Sequence, residues 1–235
     1  MTAPTFDPFW NEEYAKGIFP RCPYDRVFSF IYRNITKDAN RSNIRILEVG
    51  CGSGNNIWFG ATEGFSMTGI DGSHEAIEYA RSRLKKDGLS ADLTVGDFTA
   101  LPYRANHFHL VFDRGAITHC GLSQAKRTVE EIYRVLIPGG KFFFNSYSES
   151  HSTAKSGSLT EDNLIVDAPG GSLAGFGQIC FYSENQVKEL FPHPWQIESI
   201  KHMVETELRE SNQEDVHAEF RAIVLKPIGQ GTVSS

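Results

Sequence analysis

The residues with the clearest chemical meaning form one acidic, glycine-rich stretch, Leu47-Glu48-Val49-Gly50-Cys51-Gly52-Ser53-Gly54-Asn55. An apolar run that ends in an acid and then in closely spaced glycines is typical of a buried strand, a tight turn and the start of a helix. Glycine has no Cβ, so we expect a ligand to approach the backbone of this turn closely. Asp71 follows the next apolar run and offers a carboxylate that suits the two hydroxyls of a ribose. The spacing therefore predicts a nucleoside-binding site.

Two common nucleotide-binding motifs fit this turn poorly. A dinucleotide fingerprint that starts at Gly50 needs its third glycine at position 55, where the chain has Asn55. The third glycine comes one residue earlier, at Gly54. A phosphate-binding loop needs Gly-Lys-Ser or Gly-Lys-Thr after the turn, and neither follows. The turn therefore favours a nucleoside cofactor other than NAD, FAD or a nucleoside triphosphate.

Alternating strands and helices must position these residues. Apolar runs predict strands at 44–49, 66–70, 91–95, 108–112 and 141–147, followed by β-like stretches near 195–204 and 217–226. Helical spacing predicts crossover helices between the early strands, and the helix that carries Val129 and Leu136 is expected to end at Pro138-Gly139-Gly140. This order predicts an α/β fold with a doubly wound, mostly parallel sheet and a C-terminal antiparallel strand.

Polar side chains follow each of the first four strands. Glu48, Asp71, Gly96-Asp97-Phe98 and Asp113-Arg114-Gly115 all stand at the carboxyl ends of predicted strands. Open α/β sheets bind their ligands at this edge. We therefore expect these residues to surround one site.

The chain reads as a single domain, 1–235, with four parts. These are an N-terminal helical cap at 6–39, a cofactor-binding core at 40–147, an insertion at 148–182, and a C-terminal helix with strands at 183–226. Aromatic residues recur at helical spacing in the cap, which suits either packing or a lid over the site. The insertion is rich in Ser and Gly. It is either a lid over the site of the methyl acceptor or a surface loop with no role in ligand binding.

Several motifs together make the chain resemble the class I S-adenosylmethionine-dependent methyltransferases, of the type that acts on small molecules. They are the stretch at 47–54, Gly69-Ile70-Asp71, and the segments at 95–98, 106–113 and 135–140. The resemblance covers roughly residues 44–147, with a continuation to 226. It implies a seven-stranded Rossmann-like methyltransferase fold, S-adenosylmethionine as the cofactor and S-adenosylhomocysteine as its product.

The resemblance also implies a set of cofactor-binding residues. In it, Asp71 accepts the ribose hydroxyls, Asp97 accepts the adenine amino group, and Glu48 orients the turn or the cofactor ammonium. Gly72 is a departure, since many family members have a larger apolar residue against the adenine, and a looser adenine pocket is expected. The full set is Trp10, Tyr14, Glu48, Gly50, Cys51, Gly52, Gly54, Asn55, Asp71, Gly72, Ser73, Asp97, Phe98, Asp113, Arg114 and Gly115.

The sequence gives fewer signals for the residues that bind the methyl acceptor. Methyl transfer from a sulfonium needs an aligned acceptor and the exclusion of water more than it needs acid or base catalysis. His119 follows Asp113 by six residues and is the candidate catalytic base, with local packing or capping as its alternative role. Tyr147 and His151 follow the fifth strand and are weaker candidates. In the insertion, Leu173, Phe176 and Phe181 could form an apolar wall.

The composition of the chain limits the classes of partner that we expect, namely nucleic acids, metals and membranes. The net charge of −6 argues against a broad nucleic-acid footprint, and the four cysteines lack the spacing of a metal site, so no metal is expected. No stretch has the pattern of a signal peptide or a membrane span, and a cytoplasmic location is expected.

The predicted function is methyl transfer to an oxygen or nitrogen of a small-molecule acceptor, by a monomer or homodimer, without a nucleic-acid or membrane partner. The alternatives are a methyltransferase that acts on a protein or RNA, and a non-catalytic S-adenosylmethionine-binding protein.

Overall fold

In the computed structural model, which describes residues 6–208 and 214–229, the main element is a seven-stranded sheet with the order β3-β2-β1-β4-β5-β10-β9. The strands in chain order are β1 (Arg45–Val49), β2 (Ser66–Asp71), β3 (Asp92–Val95), β4 (Phe108–Asp113), β5 (Leu136–Tyr147), β6 (Ser158–Leu159), β7 (Leu164–Val166), β8 (Ile179–Cys180), β9 (Gln196–Leu208) and β10 (Glu214–Leu225). The helices are α1 (Phe9–Ala15), α2 (Asp25–Arg33), α3 (Asn55–Thr62), α4 (His74–Lys86), α5 (Leu122–Val135) and α6 (Glu184–Glu189).

The first five strands are parallel, and the last two pair antiparallel. β1 is flanked by β2 on one side and by β4 on the other, so the winding of the sheet reverses there. Such a reversal opens a crevice at the carboxyl ends of the strands. The predicted mostly parallel, seven-stranded sheet with antiparallel pairing at the C-terminus is confirmed.

Successive residues of the central strands bury their side chains on opposite faces of the sheet. On one face Ile46 packs in a core with residues of α2, α3 and α4, and on the other Leu47 packs in a core with residues of α5 and α6. Phe143 and Phe144 of β5 divide between the same two cores. Helices therefore cover both faces, which confirms the doubly wound architecture.

The predicted boundary between the fifth helix and the fifth strand is wrong. α5 ends at Val135, and Leu136 already pairs with Phe108 as the first residue of β5. Pro138-Gly139-Gly140 lies inside β5, where the pairing with β4 changes register. Proline and glycine ended the helix in the prediction, but here they mark an irregularity within a strand.

The insertion has an ordered core of its own. β6, β7 and β8 form a small antiparallel sheet, and a separate apolar cluster lies beneath it. Leu173 and Phe181 belong to that cluster, whereas Phe176 remains 37% exposed. Of the three residues predicted to form an apolar wall, Phe176 is the one that lines the cavity described below.

The N-terminal helices pack differently from each other. α2 buries Val27, Phe28, Phe30 and Ile31 against the sheet. α1 buries none of its residues fully and lies across the carboxyl ends of the strands. Among the described residues, no helix has the length and apolar character needed to cross a membrane.

Candidate active site

A cavity of about 450 Å³ lies at the carboxyl ends of β1, β2 and β4, under the aromatic side chains of α1. Its volume is within the usual range for small-molecule sites. Twelve of the sixteen predicted cofactor-binding residues line it: Trp10, Tyr14, Glu48, Gly50, Cys51, Gly52, Asn55, Asp71, Gly72, Phe98, Arg114 and Gly115. His119, the predicted base, lines it as well.

The three glycines of the turn all have positive φ, at 66°, 51° and 71° for Gly50, Gly52 and Gly54. A Cβ on Gly50 would collide with Ala116, and one on Gly54 would lie 2.7 Å from the Cβ of Ala80. These two glycines leave room for the protein's own side chains, which corrects the expectation that each of them admits a ligand. A Cβ on Gly52 would collide with the Tyr14 hydroxyl, which lines the cavity as Ala116 does.

Asp71 is fixed by backbone amides on both sides. The N–H of Gly52 donates to Oδ2 and the N–H of Ser73 donates to Oδ1, each at 2.8 Å. Burial raises the pKa of Asp71, and the Ser73 and Gly52 amides oppose that rise. Each carboxylate oxygen can accept a second hydrogen bond. Asp71 thus presents two aligned acceptors to the cavity.

Glu48 is buried at the floor of the cavity. Its Oε1 accepts from Nδ2 of Asn56 at 2.7 Å, while no described residue supplies a hydrogen bond to the buried Oε2. Burial raises the pKa of Glu48 well above its ordinary value, and the nearby Asp113 and Asp71 add to the rise. A buried acceptor without a partner is costly, so this oxygen suits a ligand that brings a donor.

Four predicted residues lie outside the cavity lining. Ser73 caps α4 by accepting from the Ala76 amide, and Gly54 precedes α3. Asp97 is exposed, and its Oδ1 accepts from the Thr99 amide at 2.7 Å. The Oδ1 of Asp113 accepts from the amides of Ala116 and Ile117, and burial raises the pKa of Asp113 to about 7. The two acids shape turns in the described structure, because a carboxylate after a strand readily accepts from nearby amides.

His119 ends a 3₁₀ turn, Ile117–His119, after β4. Its Nδ1 lies 2.9 Å from the carbonyl oxygen of Gln178, and the Trp10 ring approaches edge-on at 4.8 Å between centroids. Burial lowers the pKa of His119 to about 4, although the Gln178 hydrogen bond and Asp7 act against the shift. A group with this pKa is neutral at pH 7 and accepts hydrogen bonds, but it is a weak proton acceptor. This low pKa makes His119 a weak candidate for a general base, and its predicted catalytic role stays a prediction.

Comparisons with known proteins agree with this geometry. A family model described as a methyltransferase domain matches residues 46–140. The norajmaline N-methyltransferase of Rauvolfia serpentina is 29% identical over 138 residues, which are 57% of this chain and 47% of that protein. A tRNA N(3)-methylcytidine methyltransferase of Schizosaccharomyces pombe is 25% identical over 183 residues, with 72% of this chain and 59% of that protein covered. The chain spans about half the length of these curated relatives.

The fold comparison gives the same result. The crystal structure of an S-adenosylmethionine-dependent methyltransferase from Methanosarcina mazei superposes with a TM-score of 0.68 at 20% identity, covering 88% of this chain and 99% of that one. Residues 46–140 are thus similar to a methyltransferase domain, and the chain has the fold of the class I S-adenosylmethionine-dependent methyltransferases. The acceptors named for the relatives differ, so the relatives do not indicate one acceptor class for this chain.

The residues that line the cavity fit S-adenosylmethionine, the cofactor expected from the fold, which has a ribose diol, an ammonium and a sulfonium. Asp71 and Glu48 Oε2 are the acceptors that a diol and an ammonium need. Of the described residues in the lining, Asp7, Glu13, Glu48 and Asp71 are acidic, and Arg114 alone is a Lys or Arg. This excess of acids suits a ligand with net positive charge.

The cavity also contains residues that sequence reasoning missed. The ring of Phe6 packs where a side chain at Gly72 would lie, so another residue of the chain fills the space that this glycine leaves, and the looser adenine pocket stays a prediction. Tyr24 lines the cavity, with the guanidinium of Arg114 4.2 Å from its ring centroid. Asp7 accepts from the amides of Phe9 and Gln178. An Asp just before an aromatic helix is a capping signal, and it could have identified Asp7.

Three polar side chains of the turn and α3 tie residues 20–24 over the cavity. Ser53 Oγ donates to the Pro20 carbonyl, Asn55 Nδ2 donates to the Cys22 carbonyl, and Asn56 Oδ1 accepts from the Tyr24 amide. The side-chain amide of Asn55, predicted to bind cofactor, is thus engaged with the chain itself. The connection between α1 and α2 becomes part of the cavity wall through these bonds.

Proposed function

We propose that this protein transfers a methyl group from S-adenosylmethionine to a nitrogen or oxygen atom of a small-molecule acceptor, with nitrogen favoured. The observation that carries the proposal is the convergence of the Gly52 turn, the two acceptors of Asp71 and the buried Oε2 of Glu48 in one cavity. We call Glu48, Gly52, Asp71, Gly72 and Phe98 the cofactor half of the cavity. We call Arg114, His119, Tyr147 and Phe176 the acceptor half.

In the cofactor half, Asp71 accepts from the ribose hydroxyls through the acceptor capacity that the amides of Gly52 and Ser73 leave open. Glu48 Oε2 accepts from the ammonium, which also lowers the cost of its burial. Phe98 and Phe6 enclose the adenine. Trp10, Tyr14, Gly50, Cys51 and Asn55 complete the wall, as do the backbones of Arg114 and Gly115. Gly54, Ser73, Asp97 and Asp113 support the turns behind it.

When bound, the cofactor supplies a methyl group on a positively charged sulfur, and transfer leaves the thioether S-adenosylhomocysteine. The chain's own residues orient the acceptor and exclude water. In the proposal, Trp10, Tyr147 and Phe176 form apolar walls around the acceptor, and the Nε2 of His119 accepts a hydrogen bond from its N–H or O–H.

The protonation state of His119 favours nitrogen. A hydroxyl must lose its proton as it attacks, and a base with a pKa of about 4 takes that proton poorly at neutral pH. A neutral amine already offers a lone pair and needs only to be aligned. Its product releases a proton to solvent after transfer. An oriented, neutral His119 is sufficient for that reaction.

The size and charge of the site support a small acceptor. The cavity of about 450 Å³ is roofed by α1 and by the insertion residue Phe176. The net charge of the chain is −6, which gives no general attraction to a phosphate backbone. We therefore propose that no nucleic acid or membrane is a partner. The free cysteines support a reducing, cytoplasmic compartment, and we expect a monomer or homodimer.

Calorimetry and product analysis test the proposal. We expect S-adenosylmethionine and S-adenosylhomocysteine to bind the full chain, and a panel of amines, alcohols, peptides and tRNA to yield a methylated amine by mass spectrometry. Methylation of tRNA or peptide alone would show that the acceptor is a macromolecule and not a small molecule. Binding without any transfer would leave a non-catalytic cofactor-binding protein, and absence of binding would refute the proposal.

A further inference from the structure

Three segments that are far apart in the sequence meet at His119. The 3₁₀ turn after β4 carries the histidine, the N-terminal segment brings Asp7 and Trp10, and the insertion brings Phe176 and Gln178. Phe9 and Trp10 each lie 6.0 Å from the ring of Phe176, between centroids. The roof of the cavity and the insertion are therefore in contact beside the histidine.

Gln178 makes two hydrogen bonds with His119. The backbone carbonyl of Gln178 lies 2.9 Å from the imidazole Nδ1, and the side-chain amide of Gln178 donates to the backbone carbonyl of His119 at 2.8 Å. A carbonyl oxygen can only accept, so Nδ1 carries the proton of the neutral ring. Nε2 is then the unprotonated nitrogen, and it is free to accept from a ligand.

Asp7 links Gln178 to α1, the helix that forms the roof of the cavity. Its Oδ2 accepts from the backbone amide of Gln178 at 2.9 Å, and its Oδ1 accepts from the amide of Phe9 at 3.0 Å, at the start of α1. Gly177 permits this approach, because its φ is 65° and a Cβ there would collide with the Asp7 carboxylate. The glycine before Gln178 therefore serves the contact with Asp7.

We propose that Gln178 and Asp7 are positioning residues for methyl transfer: Gln178 fixes the orientation and tautomer of His119, and Asp7 makes that orientation depend on docking of α1 over the cavity. The proposal deepens the function proposed above and rests on it for its catalytic meaning. α1 buries none of its residues fully, and the Asp7 carboxylate adds a hydrogen bond to the ring contacts that Phe9 and Trp10 make with Phe176. When the hydrogen bond at Asp7 is broken, the ring contacts remain, but the backbone of Gln178 that faces His119 is held less firmly.

The chain offers a matched control for this tie. Asn11, also on α1, accepts from the Ser73 hydroxyl at 2.6 Å on the other side of the cavity. Asn11→Ala loosens α1 without touching Gln178 or His119. Asp7→Ala loosens α1 and releases Gln178 as well. The two variants separate attachment of the roof from positioning of the histidine.

The direct test is the imidazole tautomer, read by long-range ¹H–¹⁵N correlation NMR of the full chain, with the His119 signals assigned from His119→Gln. We expect a single Nδ1–H tautomer in the wild type and in Asn11→Ala. We expect mixed tautomers in Asp7→Ala, and also in Gln178→Ala, which keeps the backbone carbonyl at 178 but loses the side-chain amide that holds this carbonyl against His119. If Asp7→Ala is too unstable, the isosteric Asp7→Asn is expected to show the same mixing. A single tautomer in all variants, or equal mixing in Asn11→Ala, would overturn the proposal.

Kinetics give a second readout with the methyl acceptor identified by the panel above. Gln178→Ala is expected to lower kcat about tenfold, with the Kd for S-adenosylhomocysteine little changed, because a small misalignment affects the reaction more than binding. An unchanged kcat would overturn the positioning role. Failure of the wild type to bind S-adenosylhomocysteine would refute the proposed function, but it would leave the tautomer result standing by itself.

Discussion

The cofactor half and the acceptor half of the cavity are assembled in different ways. The cofactor half comes mainly from two consecutive strand ends, and backbone amides of Gly52 and Ser73 hold its central acid, Asp71. The acceptor half draws on β4, β5 and the insertion, and hydrogen bonds between side chains and backbone join His119 to Gln178 and Gln178 to Asp7 of the N-terminal segment. A shared cofactor can be bound by a local motif, whereas selection of an acceptor depends on distant contacts.

The largest effect is expected in the cofactor half, from Asp71→Ala. Loss of two hydrogen bonds to a charged acceptor costs roughly 3 to 4 kcal/mol, so the Kd for S-adenosylmethionine should rise several hundredfold by calorimetry. Asp97→Ala is the matched control, because Asp97 also follows a strand but is exposed and lies outside the cavity lining. Equal losses in the two variants would show that this distinction between the acids is incorrect.

In the acceptor half, the burial of His119 predicts a pH effect on stability. Burial lowers its pKa from 6.5 to about 4, so between these values the unfolded chain binds a proton that the folded chain does not. This contribution to the free energy of unfolding is therefore full above pH 6.5 and is lost as the pH falls toward 4. The wild type should lose roughly 3 kcal/mol more than His119→Gln between pH 7 and pH 4 in urea titrations. Parallel pH curves for the two proteins would contradict the burial of a neutral histidine.

A smaller effect on binding is expected from Gly52→Ala. Its methyl group would meet the Tyr14 hydroxyl at a residue with φ of 51°, and the Kd for S-adenosylmethionine should rise about tenfold. Gly88→Ala shares the positive φ, at 66°, but its methyl group would enter open space. Thermal unfolding should show a similar loss of stability in both variants, with weaker binding only in Gly52→Ala. Equal affinities would remove Gly52 from the cofactor half.

The smallest effect is expected from Phe176→Ala, which removes a 37% exposed ring from the acceptor half. The KM of the acceptor should rise a few-fold, about 1 kcal/mol, while the melting temperature changes little. Phe181→Ala is the contrasting variant, because Phe181 is 5% exposed in the core of the insertion and its loss should destabilise the fold by about 3 kcal/mol. If Phe176→Ala destabilised the protein to the same degree, the insertion would not divide into core and cavity wall in this way.

The sequence predicted the sheet, and it named residues of the cofactor half that do line one cavity, because both depend on local patterns. Strand and helix periodicity is read within a few residues, and the turn at 50–54 and the acid at 71 are contiguous motifs. The same local reasoning placed Asp97, Ser73 and Asp113 in the site, and the structure assigns them to turns and a helix cap. A carboxylate or hydroxyl after a strand can bind a ligand, or it can accept hydrogen bonds within a turn or helix cap. Which role it has depends on the tertiary fold.

The acceptor half could not be predicted to the same extent. Asp7 and Gln178 are 171 positions apart, and nothing in the sequence near either residue indicates the other. Phe6 takes the place of a side chain at Gly72 through tertiary contact alone. The weak basicity of His119 follows from its burial, which depends on the positions of Trp10 and the insertion. These contacts join segments whose arrangement is set by the whole fold.

The packing of Phe6 on Gly72 has a practical consequence for work on this protein. One wall of the cavity is supplied by Phe6, whose ring lies where a side chain at Gly72 would be. A truncation that removes Phe6, or a fusion partner joined directly to it, would take away or displace this wall and is expected to weaken nucleoside binding. Protein prepared for ligand measurements should therefore keep the segment ahead of α1 intact.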